Sequence, residues 1–235
     1  RLWYYTAWRY GMAFLDDIRR KVVLFDGGMG TEIQKYDLRE DEWGGYQGCN
    51  EILSVSAPER IARIYRGYLD AGSDVIETNT FGAQKQTLAE HGLVERTVEL
   101  NRESALLARR VLGEYCGDNG YEPDCRYVAG SMGPGTKLPS LGHTDFDTLY
   151  DSYCAQAEGL IEGGVDLFIV ETAQDPLQIK AAVLAVRDAQ REASVDLPVV
   201  VSVTVETNGA MLVGTDISAA VTSLEPLPID VLGIN

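Results

Sequence analysis

Residues 71–83 read AGSDVIETNTFGA, and the fold prediction starts from this stretch. Its apolar centre at 74–77 is short and has little polar alternation, which is typical of a strand buried on both faces of a parallel sheet. Gly72 ends the helical segment before the strand, and hydroxyl and amide side chains follow the strand. The stretch therefore predicts a helix, a buried strand and a polar loop in succession.

The same unit recurs along the chain. Short runs rich in Val, Ile and Leu lie at residues 22–25, 74–77, 127–130, 166–170, 198–203 and 230–234. Strands that alternate with helices, without an obvious linker, predict one α/β domain. Periodicity alone leaves two architectures open: a doubly wound open sheet, or a (β/α)₈ barrel with about six of its eight units here.

Capping residues predict where four of the helices begin. The predicted starts are Ser56 with Glu59 around Pro58, Thr144 with Asp147, Asp175 before Pro176, and Asp216.

Composition excludes several classes of protein. The 235 residues include 36 acidic and 20 basic side chains, for a net charge of −16, and this argues against nucleic acid or an anionic membrane as the partner. No apolar run approaches the ~18 residues that a membrane span needs. The four scattered cysteines predict reduced thiols and a cytoplasmic location, with a Cys116–Cys125 disulfide as the less favoured alternative.

The first eleven residues differ from the rest. They are rich in Trp and Tyr and have arginines near both ends, whereas Met12 opens an ordinary segment. We expect residues 1–11 to be an upstream extension and residues 12–235 to form the domain.

Carboxylates stand at the carboxyl ends of three predicted strands. They are Asp26, Glu77 and Glu171. In both architectures the site lies at this edge of the sheet. Acids with hydroxyls and amides suit an ammonium-bearing ligand or a metal ion, and they do not suit a phosphate.

Each of these features has a structural alternative. The glycine loop at 26–31 matches no dinucleotide or P-loop spacing, and it fits a tight turn as well as a ligand loop. Glu171 could instead form a salt bridge with Lys180 or Arg187. For Glu77 a structural role is the favoured interpretation.

At these residues the sequence resembles the homocysteine S-methyltransferase family, and within it the N-terminal homocysteine-binding module of cobalamin-dependent methionine synthases. The resemblance runs from about Leu15 to Asn235. The matching segments are LFDGGMGTE (24–32), GCNEIL (48–53), AGSDVIETNTFGA (71–83), AGSMGP (129–134), KLPSLGH (137–143) and GVDLFIVET (164–172).

The resemblance implies a (β/α)₈ barrel and assigns roles to residues of its site. Asp26 and Glu171 would hold the ammonium of homocysteine, and Gly27 and Gly28 would hold its carboxylate. Further residues that could line the site are Glu77, Asn79, Phe81, Ser131 and Asn235.

The resemblance also implies zinc as a cofactor that carries the substrate sulfur as a thiolate. The zinc ligands of the family are three cysteines, the first directly after a Gly-(Leu/Ile)-Asn that matches Gly233-Ile234-Asn235. We therefore expect no metal ligand within these residues, because all three cysteines would lie after Asn235.

The function that the resemblance implies is methyl transfer to homocysteine, which gives methionine. The donor would be methylcobalamin, supplied by a cobalamin module, or another methyl donor. The alternative is a non-catalytic barrel that binds an amino acid or a partner chain. A barrel lyase or aldolase would need a Schiff-base lysine at a strand end, and none of the six ends has one.

Overall fold

The computed structural model describes residues 13–122 and 125–235. The expected extension at 1–11 and the expected start at Met12 lie outside them. The described part is an α/β fold around one parallel sheet. Its strands are β1 (Val75–Glu77), β2 (Tyr127–Met132), β3 (Leu167–Ala173), β4 (Val199–Val203) and β5 (Val231–Ile234).

The order of the strands decides between the two architectures. The strands pair in parallel in the sequence order β1-β2-β3-β4-β5. A doubly wound sheet reverses its order at a switch point, whereas a (β/α) barrel adds each strand beside the one before it. The sheet is therefore of the barrel type, and among the described residues it is incomplete.

The first predicted strand, at residues 22–25, forms only one bridge to the sheet. Phe25 forms a single parallel bridge with Val75. The N–H of Val75 donates to the Leu24 carbonyl and the N–H of Asp26 donates to the Val75 carbonyl, each at 3.0 Å. The segment at 22–25 therefore adds to the edge of β1, as the sequence predicts, and places Asp26 beside the end of β1.

Helices follow and flank the strands. They are α1 (described at 13–20), α2 (Met29–Ile33), α3 (Leu53–Ser56), α4 (Pro58–Ala71), α5 (Lys85–Leu88), α6 (Thr97–Asn119), α7 (Phe146–Glu162), α8 (Pro176–Ala193) and α9 (Ile217–Leu224), with single 3₁₀ turns at Glu40–Trp43, Asn50–Ile52, Ala89–His91, Val94–Arg96 and Pro139–Leu141.

Two of the four predicted helix starts are confirmed. Asp175 and Asp216 cap α8 and α9 by accepting from the N–H of Leu177 and Ala219. The predicted capping box before α4 is wrong: Ser56 ends α3, and its hydroxyl donates back to the Ile52 carbonyl.

The other wrong start is that of α7. The cap is Asp145 and not Thr144, because the Asp145 carboxylate accepts from the N–H of Thr148.

Two apolar layers hold the sheet. The outer layer packs the helices against the strands, with Ile61 and Tyr65 of α4 among its fully buried members. The inner layer fills the concave side of the sheet with Phe14, Val75, Tyr127, Ala129, Leu167, Ile169 and Val200. Phe14 meets Phe25 and Tyr127 edge to face. Because α1 covers the end of the strands where Tyr127 begins β2, the carboxyl ends stay open for a site.

Two further observations bear on the predicted class. Within residues 13–122 and 125–235, no helix has both the length and the apolar character needed to cross a bilayer. All four cysteines are free thiols, so the alternative of a Cys116–Cys125 disulfide is not present.

Candidate functional site

Strand geometry brings Glu77, Ser131 and Glu171 to one face. Val75, Ala129 and Ile169 point into the inner layer, and each lies two residues before one of these three. Side chains alternate along a strand with a period of two. The side chains of Glu77, Ser131 and Glu171 therefore stand on the same inner face, one step closer to the carboxyl ends.

Two hydrogen-bonded pairs form among these residues and Asp26. The N–H of Glu77 donates to both carboxylate oxygens of Asp26, each at 3.1 Å. The hydroxyl of Ser131 donates to Oε1 of Glu171 at 2.5 Å. Four residues that the sequence analysis named, from four neighbouring segments of the sheet, thus form one polar cluster.

Burial, followed by like charges, shifts the pKa values of the acids in this cluster. Burial raises the pKa of Asp26 to about 7, the hydrogen bond from Glu77 opposes that rise, and the charge of Glu171 adds to it. Burial also raises the pKa of Glu77 well above its ordinary value, with further contributions from the charges of Glu171 and Asp26. Among the residues that the structure describes, no basic side chain offsets either shift.

The salt-bridge alternative for Glu171 is therefore not supported. Arg187 pairs with Asp230 and Asp196 instead. In the described part of the chain, no ion pair includes Asp26, Glu77 or Glu171. The cluster holds three carboxyl groups without a protein cation, and this arrangement suits a ligand that brings its own positive charge.

The backbone next to Glu171 is irregular. Thr172 has φ 54°, a left-handed conformation that is uncommon for a residue other than glycine. The pairing of β3 with β4 shifts register between Val170 and Ala173. Such a bulge re-aims the side chains around it, and here it falls beside the site. Sequence reasoning missed Thr172, because nothing in its residue type indicates this conformation.

The glycine loop lies under an aromatic side chain. A Cβ added to Gly27 would stand 2.8 Å from the Tyr68 hydroxyl oxygen. That hydroxyl donates to the Gly28 carbonyl at 3.4 Å. Gly28 precedes α2 with extended backbone and no side-chain cap. The loop is thus a close-packed turn leading into a short helix, and Tyr68 is a neighbour that the sequence analysis did not name.

The remaining predicted lining residues are more dispersed. Asn79 is buried, and its side-chain amide donates to the Asn50 carbonyl and the Ser54 hydroxyl, so it fixes the loop after β1. Phe81 is 43% exposed. Asn235 follows β5, and its Oδ1 accepts from the Ser202 and Thr204 hydroxyls. None of these three is bonded to the carboxyl cluster in the structure.

The residues present do not fit a zinc ion. The described residues contain no group of three or more His, Cys, Asp or Glu side chains arranged to hold a metal. Cys49 is buried, and its thiol faces Glu51 at 3.6 Å between Sγ and Oε2. Burial, followed by the Glu51 charge, raises the pKa of this thiol to about 11, which disfavours the thiolate that a metal needs.

Comparison with known sequences places the chain among methyltransferases. The sequence profile of the family described as homocysteine S-methyltransferase matches residues 23–235. A methionine synthase of Mycobacterium tuberculosis is 45% identical over 226 residues, which are 96% of this chain and 19% of that protein. A methionine synthase of Mycobacterium leprae is 44% identical over 228 residues, covering 97% of this chain and 18% of that protein. The chain thus spans about a fifth of the length of these relatives.

Solved structures agree with the strand order. The metallated form of the Escherichia coli homocysteine methyltransferase MmuM superposes with a TM-score of 0.75 at 25% identity, covering 93% of this chain and 76% of that one. Its oxidised form gives a TM-score of 0.76 at 25% identity, covering 93% and 75%. From the family profile, the relatives and this fold, the chain belongs to the homocysteine S-methyltransferase family.

Proposed function

We propose that the protein binds homocysteine by its amino-acid end and serves methyl transfer to the homocysteine sulfur, which gives methionine. The observation that carries the proposal is the buried cluster of Asp26, Glu77 and Glu171 without a protein cation. Family membership supports the substrate. The names of the relatives and of the solved structures favour an enzyme over the non-catalytic alternative.

The proposal gives each end of the amino acid its own partners. Asp26 and Glu171 hold the substrate ammonium, and the backbone N–H groups of the Gly27-Gly28 turn hold its carboxylate. A hydrogen bond between charged groups contributes about 1.5–3 kcal/mol, so either carboxylate is a large part of the affinity for a small zwitterion. The substrate ammonium also supplies the positive charge that no described side chain provides beside these two acids.

No chemical step at the substrate sulfur is assigned to the described residues. Family resemblance implies a zinc ion that carries the thiolate, but the described residues form no site for it, so no step through zinc is assigned to them. The proposed donor is methylcobalamin, or methyltetrahydrofolate by way of a cobalamin module, in keeping with the methionine synthases among the relatives. The cytoplasmic location remains a prediction. The assignment of residues 12–235 to one domain also remains a prediction.

Titration calorimetry with L-homocysteine tests the binding proposal. Asp26→Asn and Glu171→Gln should each weaken binding about tenfold or more, since each removes a charge-assisted contact. Glu95→Gln, which changes an exposed acid outside the cluster, should bind like the unchanged protein. The analogue 4-mercaptobutanoate, which lacks the ammonium, should not bind. Unchanged affinity in both site variants would refute the assignment.

Methionine formation tests the activity. A full-length protein that contains this chain, supplied with zinc, is assayed with methylcobalamin, with methyltetrahydrofolate plus cobalamin, with S-methylmethionine and with betaine. Turnover with either of the first two supports the proposed donor, and turnover with only the last two replaces it. Absence of methionine with all donors contradicts the activity itself.

A further inference from the structure

The proposed function uses two of the three clustered carboxyls and leaves Glu77 without a role. Glu77 lies at the end of β1, and its backbone N–H is bonded to Asp26. Its side-chain carboxyl stands on the same inner face of the sheet as Glu171, close enough to interact with the Glu171 carboxyl. The third acid therefore contacts both residues that are proposed to hold the substrate.

A hydrogen bond between two carboxyl groups requires a proton on one of them, because a carboxylate oxygen only accepts. Glu171 already accepts from the Ser131 hydroxyl at its Oε1. Asp26 accepts from a backbone N–H at both oxygens. Glu171 thus has a donor of its own, whereas among the described residues no donor group bonds to the Glu77 carboxyl, so Glu77 is the partner to which the proton is assigned.

The surroundings of Glu77 agree with this location. The titratable groups that face it are Asp26 on the loop after Phe25, Glu171 on β3, and the buried phenol of Tyr65 on α4. None of these groups is a cation. Two ionised acids in contact, with nothing to offset them, repel strongly, so the pair is more stable when one of the two is protonated.

We propose that Glu77 is a positioning residue that keeps its proton and donates it to Glu171, so that Glu77 and Ser131 together hold Glu171 in one orientation for the substrate ammonium. This inference rests on the proposed function. It assigns Glu77 no contact with the substrate, and it explains why a third acid stands where two suffice for binding.

Infrared difference spectroscopy locates the proton without any ligand. The spectrum of the unchanged protein minus that of Glu77→Gln, at neutral pH, should contain the carbonyl band of a protonated carboxylic acid. Deuterium exchange should shift this band. Absence of the band would overturn the proposed protonation. Because no homocysteine is present, failure of the proposed function leaves this readout intact, and the two failures are distinguishable.

Binding variants test the positioning role. Glu77→Gln keeps a neutral donor and should bind homocysteine within about twofold of the unchanged protein at pH 7, whereas Glu77→Leu removes the donor and should bind about tenfold more weakly. Thermal unfolding of both variants confirms that they fold. Equal weakening in both variants would overturn the proposal.

Discussion

The backbone N–H of Glu77 donates to both carboxylate oxygens of Asp26, each at 3.1 Å, although 51 positions separate the two residues in the chain. The pairing of Phe25 with Val75 brings them together, because it sets the end of one segment beside the end of β1. Asp26 is thus anchored by the backbone of a neighbouring strand, and in the described part of the chain no side-chain cation pairs with it. The acid stays available to a ligand, and its charge stays uncompensated.

The uncompensated charge of Asp26 should reduce stability at neutral pH. Its pKa is about 7 in the folded protein, against 3.8 for the free side chain. The folded state binds the proton more tightly, so stability falls as the pH rises from about 4 to 7 and stays low above that. Asp26→Asn should raise the free energy of unfolding at pH 8 by about 2–4 kcal/mol, with little effect near pH 4. Urea unfolding at the two pH values measures this, and an equal difference at both would contradict it.

Homocysteine binding should release a proton from Asp26. An ammonium beside the carboxylate lowers its pKa, so a proton that is bound in the free site leaves on binding. With a free-site pKa of about 7, affinity should be roughly fivefold weaker at pH 6 than at pH 7. Calorimetry in buffers of different ionisation enthalpy counts the released protons. In Asp26→Asn this component should vanish, and its persistence there would assign the proton to another group.

The left-handed backbone at Thr172 should be strained. Glycine adopts φ 54° without the steric cost that a β-branched side chain incurs. Thr172→Gly should therefore leave the free energy of unfolding unchanged or raise it by about 0.5–1 kcal/mol. Thr204→Gly is the matched control, since Thr204 follows β4 and does not have positive φ; it should lose stability. Denaturant unfolding compares the two, and equal losses would remove the case for strain at Thr172.

Substitution of Gly133 by any residue with a Cβ should destabilise the protein. A Cβ there would stand 2.7 Å from the Phe81 carbonyl oxygen and 2.8 Å from its ring. Because backbone cannot move aside cheaply, Gly133→Ala should destabilise the protein by about 1–3 kcal/mol. Gly113→Ala, in open space on α6, should instead stabilise it by about 0.5–1 kcal/mol. Thermal unfolding of both variants decides, and a neutral Gly133→Ala would show that the Phe81 loop is free to shift.

Much of the site could be predicted from the chain. The six apolar runs correspond to β1–β5 and the Phe25 segment, because strands buried on both faces consist of consecutive apolar residues. Asp26 and Glu171 could be named because an acid directly after such a run stands at the open end of the sheet. Glu77 was named for the same reason, although a structural role was favoured for it, and Ser131 was named through the family resemblance. The prediction that Asn79 lines the site was weaker, because its side-chain amide donates to the Asn50 carbonyl and the Ser54 hydroxyl and so holds the loop after β1.

Periodicity could not decide the architecture. A doubly wound sheet and a barrel consist of the same β/α units, and they differ only in which strands pair. That choice is made by contacts between distant segments, such as Glu77 with Ala129 and Ser131 with Ile169. Local pattern carries no information about them.

Sequence by itself determined the strands, the helices between them and the two acids that the family resemblance assigns to the substrate. Only the tertiary structure decided that three acids share one buried cluster, that Thr172 bends the strand beside Glu171, and that Tyr68 covers the glycine loop. The physical reason is distance. The pKa of a carboxyl and the strain of a backbone depend on which groups lie within a few ångströms, and folding chooses those neighbours from segments far apart in the chain.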